Sequence, residues 1–183
     1  GMSGGSGVIY AIRLLEILKQ MNLETHLIIT PAARETIIFE TDYQVSYVES
    51  LASVNYRYKD ISAAITSGSF PTDGMVVVPC SMKTLSGIAH AYEENLLIRA
   101  ALVTLKERRP LVLVPRETPL AISHIRNMLM AAEAGAVILP AMPGFYHKPK
   151  TVDDMVNHVV GKILDVLGIK HNIYRRWSGK VTC

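Results

Sequence analysis

The apolar positions along the chain form two kinds of pattern. Some runs are short and unbroken, as at 75–79 and 110–115, which is typical of buried strands in a parallel sheet. Others recur every three or four residues, as Ile9, Ile12 and Leu15 do within 8–21, and predict amphipathic helices. Because strand-like and helix-like segments alternate, the pattern predicts an α/β fold, a doubly wound parallel sheet with helices on both faces.

This pattern predicts a definite series of elements. We expect strands at 25–30, 75–79, 110–115 and 136–140, helices at 8–21, 31–40, 95–108, 119–133 and 152–167, and a loop entering a helix at 81–91. Thr30 is expected to cap the helix at 31–40, with Pro31 at its first position. Residues 41–72 are polar and rich in Tyr and Ser, and predict a long loop with short elements.

One domain accounts for residues 1–183. A chain of 183 residues is long enough for one full core and short for two. The glycine-rich loop at 4–7 should follow a first strand, and we expect that strand to lie upstream of Gly1. The segment 168–183 is expected to form a tail.

Composition narrows the class of protein. Charged residues make up only 19% of the chain, against roughly 25% in an average domain, which suggests a surface buried against other subunits. The net charge of +3 and the absence of a basic stripe argue against nucleic acid. No apolar run is long enough for a membrane span and no signal peptide is apparent, so we expect a cytoplasmic protein.

The two cysteines are expected to be chemically silent. Cys80 and Cys183 cannot build a disulfide framework, and neither has company at zinc-ligand spacing, so we expect no metal. Cys80 follows an apolar strand and has no identified His partner, which favours a buried, inert thiol over a nucleophile.

Loops after the predicted strands carry the candidate chemistry, because ligands bind at the carboxyl ends of such strands. The glycine-rich loop 4–7 opens a helix and is either an anion cradle or a tight turn. Residues 80–84 are either a second cradle or a simple helix cap. Arg116 and Glu117 end a buried strand, where Arg can clamp phosphate and Glu can move a proton; a surface ion pair is the alternative.

Weaker candidates lie elsewhere in the chain. Glu40 ends an apolar segment, where a carboxylate is either desolvated with a shifted pKa or an ordinary helix-end charge. Residues 144–148 include a phenol, an imidazole and an ammonium. Taken alone, His147 is more typical of a surface or structural histidine. The charged cluster at 106–109 is typical of a solvent-exposed helix end. Trp177 is expected either to cover the site or to pack in the tail. Together these loops suit a phosphate-bearing cofactor with a second anionic ligand.

Five blocks of sequence resemble the UbiX family of flavin prenyltransferases, formerly described as aromatic acid decarboxylases. They are Ser-Gly-Gly-Ser-Gly at 3–7, Glu-Thr-Asp at 40–42, Pro-Cys-Ser-Met-Lys-Thr at 79–84, Leu-Lys-Glu-Arg-Arg-Pro-Leu-Val-Leu-Val-Pro-Arg-Glu at 105–117 and Pro-Gly-Phe-Tyr-His at 143–147. They match in order over almost the whole chain. The last two blocks are the specific ones.

The resemblance implies a flavodoxin-like flavoprotein domain and a defined reaction. Such an enzyme transfers the dimethylallyl group from dimethylallyl phosphate to N5 and C6 of reduced FMN, without a metal, and releases phosphate. The prenylated FMN then serves a UbiD-type decarboxylase. Family members are homododecamers with sites at subunit interfaces.

The resemblance also implies roles for residues of this chain. Those expected to hold FMN are Gly4, Gly5, Ser6, Thr30, Ser81, Met82, Lys83, Thr84 and Arg116. Those expected around the phosphate of dimethylallyl phosphate are Arg99, Lys106, Arg116, Tyr146 and Lys162. Lys162 stands where other members often have Arg. Ser6 and Glu40 match residues near flavin N5, Glu117 matches a carboxylate implicated in proton transfer, and Trp177 matches an aromatic that covers the prenyl site. The expected catalytic set is Ser6, Glu40, Lys106, Glu117, Tyr146 and Trp177.

Three other functions compete with this interpretation. A non-catalytic FMN carrier for a decarboxylase would not need Glu117, Lys106 and Tyr146, yet all three are present. An FMN-dependent cysteine decarboxylase of the same superfamily would carry a Pro-x-Met-Asn motif, which this sequence lacks. A direct aromatic acid decarboxylase would need a site that no set of residues here clearly supplies.

Overall fold

The computed structural model describes residues 1–179, so Cys183 lies outside the described residues. The helices of this part are α1 (Val8–Gln20), α2 (Pro31–Glu40), α3 (Val45–Ser50), α4 (Met82–Ala89), α5 (Leu96–Lys106), α6 (Ile122–Glu133) and α7 (Val152–Val166), with a 3₁₀ helix at Ala64–Thr66. Its strands are β1 (His26–Ile28), β2 (Val54–Tyr56), β3 (Met75–Cys80), β4 (Leu111–Pro115) and β5 (Val137–Ile138). Within residues 1–179, no helix is long and apolar enough to cross a membrane.

Residues 1–3 hold the centre of the sheet. Met2 pairs in parallel with Ile29 at the end of β1, and its amide donates to the carbonyl of Ile28 at 2.8 Å. On the other side, the carbonyl of Gly1 accepts from Val78 of β3 at 2.9 Å. This segment therefore joins the parallel pair β1–β2 to the parallel group β3–β4–β5.

Residues 1–3 thus occupy the position of the strand that we expected before the glycine-rich loop. With residues 1–3 counted first, β1 second and β3 to β5 next, the spatial order is 2-1-3-4-5, which is flavodoxin-like. β2 is added beyond β1 as a short edge strand. The order reverses between residues 1–3 and β3, so a ligand crevice is expected there.

The core lies on both faces of the sheet, as predicted. Alternate side chains of β4 point to opposite faces. Val112 and Val114 pack in one cluster with buried residues of α1, α2, α3 and α7. Leu111 and Leu113 pack in another with buried residues of α4, α5 and α6. These two clusters make the fold a three-layer sandwich of helices, sheet and helices.

The predicted helix starts follow from local capping. Thr30 accepts from the amide of Ala33 at 3.1 Å and precedes Pro31 at the first helical position, as expected. α6 begins at Ile122 rather than at 119, because the first helical turn forms after Ala121, whose amide donates to Nδ1 of His124 at 3.2 Å. The region 41–72 contains α3, β2 and the 3₁₀ helix.

A buried hydroxyl ties the centre of the sheet to β3. Ser3 is 1% exposed, and its Oγ donates to the carbonyl of Pro79 at 3.0 Å and accepts from the amide of Ser81 at 2.7 Å. The loops that follow the two strands are therefore held side by side. Gly4, the next residue, passes so close to α2 that a Cβ there would overlap the Cβ of Ala32.

We expect Gly4→Ala to lower the free energy of unfolding by about 1 to 2 kcal/mol, because the added methyl displaces the loop from α2. Gly5→Ala is the matched control, since its Cβ would lie 3.5 Å from the Cβ of Pro79, an ordinary contact. Urea unfolding of the flavin-free proteins measures both. An equal loss in the two variants would contradict the close approach at Gly4.

Candidate active site

The predicted cofactor residues lie together along one edge of the sheet. Residues 4–6 follow the central segment, Thr30 follows β1, Ser81 follows β3 and Arg116 follows β4. Because the strands are parallel, these positions share the carboxyl edge.

Three helices begin at this edge and direct backbone N–H groups toward it. α1 begins after Gly7, whose φ of 98° is left-handed and which supplies no side-chain cap. α2 begins after Thr30, and α4 begins after Ser81, whose Oγ accepts from the amide of Thr84 at 3.3 Å. Such helix starts favour anions. The helix cap that the sequence allowed for residues 80–84 is present at Ser81, and the anion cradle at the same residues stays a prediction.

The other residues of the 81–84 loop contribute in different ways. Thr84 is buried, and its hydroxyl lies 3.1 Å from Ser81 Oγ. The ammonium of Lys83 pairs with Glu94 at 3.2 Å, and that hydrogen bond raises its pKa. Lys83 and Met82 therefore bring backbone amides to the first turn of α4, while the charge of Lys83 is directed to Glu94.

Glu40 supplies its carboxylate to the start of α1. Its Oε2 accepts from the amides of Gly7 at 2.8 Å and Val8 at 3.3 Å, although the residue ends α2. The sequence left open a desolvated carboxylate, whereas Glu40 is exposed in this chain because it sits at the rim of the edge. Its carboxylate thus contacts Gly7, the residue that follows Ser6 in the glycine-rich loop.

Arg116 offers a buried hydrogen-bond donor to an anion at this edge. Its guanidinium Nε is buried and has no hydrogen-bond partner within residues 1–179. Burial raises the pKa of the neighbouring Tyr10, and the positive charge of Arg116 opposes that change. A buried donor without a partner costs free energy, so the site is incomplete without an acceptor. Helix starts and an unpaired Arg fit a phosphate-bearing flavin.

Glu117, the next residue, faces solvent. It is exposed, and its Oε1 accepts from the amide of Thr118 at 3.0 Å. A carboxylate there is free to approach a ligand bound beside Arg116.

Tyr146 and Lys162, two of the phosphate contacts that the resemblance implies, line one cleft. The cleft has a volume of about 400 Å³ and is lined by Leu139, Pro140, Met142, Tyr146, His158, Val159 and Lys162. It adjoins the carboxyl edge of the sheet, because the amide of Ala141 donates to the carbonyl of Pro115 at 3.2 Å, next to Arg116. An ammonium and a phenol beside an apolar wall suit a small ligand with one anionic end and one hydrocarbon end.

Aromatic rings surround the phenol of Tyr146. Trp177 contacts its ring edge to face, with centroids 6.0 Å apart, so the tail reaches the mouth of the cleft. His147 and His158 stack in parallel, with centroids 4.8 Å apart. Tyr146 Oη lies 3.0 Å from Nε2 of His158.

Asp165 fastens the tail to α7. Its carboxylate accepts from Tyr174 Oη at 2.7 Å, from Arg176 Nη2 at 2.7 Å and from His171 Nε2 at 3.1 Å. Burial alone would raise the pKa of Asp165, but the hydrogen bonds from Arg176 and Tyr174 hold it well below its usual range. Burial and the hydrogen bond to Asp165 raise the pKa of Tyr174 to about 12. The tail packs tightly, since a Cβ at Gly161 would overlap the ring of Tyr174.

Two predicted phosphate contacts are not in the cleft of this chain. Arg99 pairs with Glu93, and Lys106 pairs with Glu107 at 3.4 Å. Lys106 ends α5, where the chain turns toward the start of β4, whereas Arg116 follows the end of β4. At about 3.3 Å per residue, β4 separates these two ends of the sheet by roughly 13 Å. The spacing of motifs along the sequence does not reveal this separation.

Sequence reasoning missed His158 and Asp165. Both belong to α7 and share a face with Lys162, because the three are spaced by four and three residues. That spacing from Lys162 was the available signal. The predicted inert character of Cys80 agrees with its burial, which raises the pKa of its thiol to about 12. Within residues 1–179, no group of three or more His, Cys, Asp or Glu side chains is placed to hold a metal ion.

Known proteins resemble this chain over nearly its full length. The Flavoprotein family model matches residues 1–164. The flavin prenyltransferase UbiX of Salmonella typhimurium is 54% identical over 182 residues, which cover 98% of this chain and 96% of that protein. The crystal structure of AnUbiX (PadA1) in complex with FMN and dimethylallyl pyrophosphate superposes with a TM-score of 0.96 at 46% identity, covering 98% of this chain and 95% of that one. A dodecameric FMN-dependent UbiX-like decarboxylase from Escherichia coli O157:H7 superposes with a TM-score of 0.95 at 49% identity, covering 98% and 97% of the two chains.

We expect Asp165→Asn to increase the rate of tryptic cleavage after Arg175 or Arg176 by about tenfold, because the tail loses its charged hydrogen bonds and opens more often. Mass spectrometry of the released fragment measures the rate. Asp153→Asn, on the exposed first turn of the same helix, should cleave like the unaltered protein. Equal rates for all three proteins would show that Asp165 does not hold the tail.

Proposed function

The chain belongs to the UbiX family of flavin prenyltransferases, and we propose that its own residues carry out that reaction at the edge and cleft described above. It transfers the dimethylallyl group of dimethylallyl phosphate to N5 and C6 of reduced FMN. The C–O bond of the substrate breaks and phosphate leaves. The observation that carries the proposal is the cleft itself, in which Lys162 and Tyr146 face an apolar wall beside the unpaired Arg116.

FMN is held, in this proposal, by the residues of the sheet edge. Gly4, Gly5 and Ser6 let the flavin approach the backbone, and Thr30 lies at the start of α2. The first turn of α4, from Ser81 to Thr84, and the guanidinium of Arg116 offer donors to anionic or carbonyl oxygens. When bound, reduced FMN supplies the electron-rich ring that receives the prenyl group.

The residues of the cleft promote departure of the phosphate. Cations of Lys162 and Arg116 stabilise the negative charge that grows on the leaving group. Glu117, the residue after Arg116, moves a proton to or from a group bound beside Arg116, and the exposure of its carboxylate supports this role. Leu139, Met142 and Val159 offer an apolar wall to the prenyl chain, which protects a developing allylic cation from water.

Trp177, Ser6 and Glu40 complete the proposed site. Trp177 contacts Tyr146 at the mouth of the cleft and covers the prenyl group. The carboxylate of Glu40 accepts from the amides of Gly7 and Val8, the two residues that follow Ser6. Both side chains therefore belong to the part of the edge where the flavin ring is expected.

In this proposal, Arg99 and Lys106 contribute to the phosphate site of a second copy of the chain. Because Lys106 lies at the far end of α5, it reaches a phosphate-binding cleft only on a neighbouring subunit. The surface favours such assembly, since Ile122, Ile125 and Leu129 form an exposed apolar stripe along α6. The dodecameric relative supports the same assembly for this protein.

The remaining parts of the proposal concern organisation and product. Residues 1–183 form one flavoprotein domain, and the tail from 168 onward covers the site, its last four residues lying outside the described ones. The prenylated FMN passes to a UbiD-type decarboxylase in the cytoplasm. The UbiX character of the relatives supports this recipient.

Anaerobic incubation with reduced FMN and dimethylallyl phosphate tests the function. Mass spectrometry of the extracted flavin should show a gain of one five-carbon unit that depends on the phosphate substrate. Bound but unmodified FMN would favour a carrier or a cysteine decarboxylase instead. A protein that binds no flavin would contradict the assignment of the sheet edge as the cofactor site.

Glu117→Gln should keep the affinity for FMN and slow single-turnover prenyl transfer by about a hundredfold, because an amide cannot exchange the proton that a carboxyl group can. Rapid-quench sampling followed by mass spectrometry measures the rate. Glu133→Gln, an exposed change at the end of α6, is the control and should react normally. A normal rate for Glu117→Gln would remove its proposed role.

Mixed oligomers test the origin of Lys106. Lys106→Ala and Tyr146→Phe proteins, each weakly active, should regain activity after their subunits are unfolded and reassembled together, with about a quarter of the sites complete in an equal mixture. Tyr146→Phe mixed with Lys162→Ala is the control, because one chain supplies both residues. Equal recovery in the two mixtures, or none in the first, would contradict a contribution from a second copy.

A further inference from the structure

His158 accepts a backbone hydrogen bond that fixes where its proton lies. The amide of Gly144 donates to Nδ1 of His158 at 3.2 Å. A nitrogen that accepts from an N–H carries no proton of its own. In a neutral imidazole the single ring proton therefore lies on Nε2.

The environment keeps this imidazole neutral and oriented. His158 is buried, and its burial, followed by the neighbouring His147 and Lys162, lowers its pKa. His147 stacks on one face of the ring with an angle of 2° between planes. The backbone at Gly144 packs against Tyr146 and His158, since a Cβ there would lie 3.0 Å from the ring of Tyr146 and 3.3 Å from Cε1 of His158.

The position of the proton on Nε2 determines the role of the phenol. Nε2 lies 3.0 Å from Tyr146 Oη, so His158 donates and the phenol oxygen accepts. The O–H of Tyr146 must then be directed to another acceptor. Neither ring nitrogen of His147 takes it, because both lack a hydrogen-bond partner within residues 1–179.

Tyr146 and His158 both line the cleft that contains Lys162. We propose that His158 is a positioning residue, which accepts from Gly144 and donates to Tyr146 so that the phenol donates its own hydrogen bond to a phosphate oxygen of dimethylallyl phosphate. This inference rests on the proposed function. It makes the backbone of residue 144, His158 and Tyr146 a directed chain of hydrogen bonds that ends on the leaving group.

The chain predicts a specific pattern of substrate affinities. His158→Phe should weaken binding of dimethylallyl phosphate to the protein loaded with oxidised FMN by about tenfold, because the phenol loses the group that directs its proton. His158→Gln should bind within about twofold of the unaltered protein, since its side-chain amide retains an N–H near the position of Nε2. Tyr146→Phe should lose about tenfold, and the double variant with His158→Phe no more than Tyr146→Phe alone.

Titration calorimetry with dimethylallyl phosphate measures these constants in the intact oligomer. His90→Phe, an exposed histidine away from the cleft, should bind normally. Nitrogen-15 NMR of labelled imidazoles reports the tautomer independently and should show His158 protonated at Nε2 alone. Retention of FMN affinity by His158→Phe would separate loss of positioning from loss of fold.

The outcomes distinguish this inference from the proposed function. If the unaltered protein prenylates FMN while His158→Phe binds substrate normally, or while its loss adds fully to that of Tyr146→Phe, only the inference is overturned. A proton on Nδ1 would overturn it as well. If the unaltered protein neither binds nor uses dimethylallyl phosphate, both fail together.

Discussion

The whole sheet depends on the hydrogen bonds of residues 1–3. Two smaller sheets, β1–β2 and β3–β4–β5, share no direct pairing, and this segment bonds to both. Ser3 adds the decisive contact, since its buried hydroxyl accepts from Ser81 and donates to Pro79. Together with the backbone hydrogen bond from Ser3 to the carbonyl of Pro79, it holds the loop that follows residues 1–3 beside the loop that follows β3. The anion-binding edge is thus a consequence of how the sheet is joined.

The sequence was most informative where structure is local. Helix α2 begins where Thr30 and Pro31 predicted, because capping depends on neighbours in the chain. Strand β2 escaped prediction, since it has three residues and two of them, Val54 and Asn55, are exposed at the sheet margin. Its pairing with β1 is a tertiary contact that no apolar pattern records.

In the candidate site too, residues placed by local sequence could be predicted, and residues placed by tertiary packing could not. Arg116 could be placed because it directly follows a predicted strand, and Ser81 because it lies two residues beyond the end of another. The contact of Tyr146 with His158 joins residues twelve apart in the chain, across a loop whose path is set by packing. For Lys106 the sequence motif was recognisable, but its position in the fold, at the far end of α5, could not be predicted from the sequence. A motif identifies which side chains are available, and the fold decides where on the surface they lie.

Helix α7 carries His158, Lys162 and Asp165 on one face. One of them lies beside a phenol, one offers a cation to the cleft, and one fastens the tail. The helix therefore fixes the relative positions of these three side chains, so its register matters for function as well as for stability. Inserting or deleting a single residue between these side chains turns those beyond it by about 100°. We therefore expect a change in the length of this helix to impair function more than a single substitution does, because it displaces several of these side chains at once.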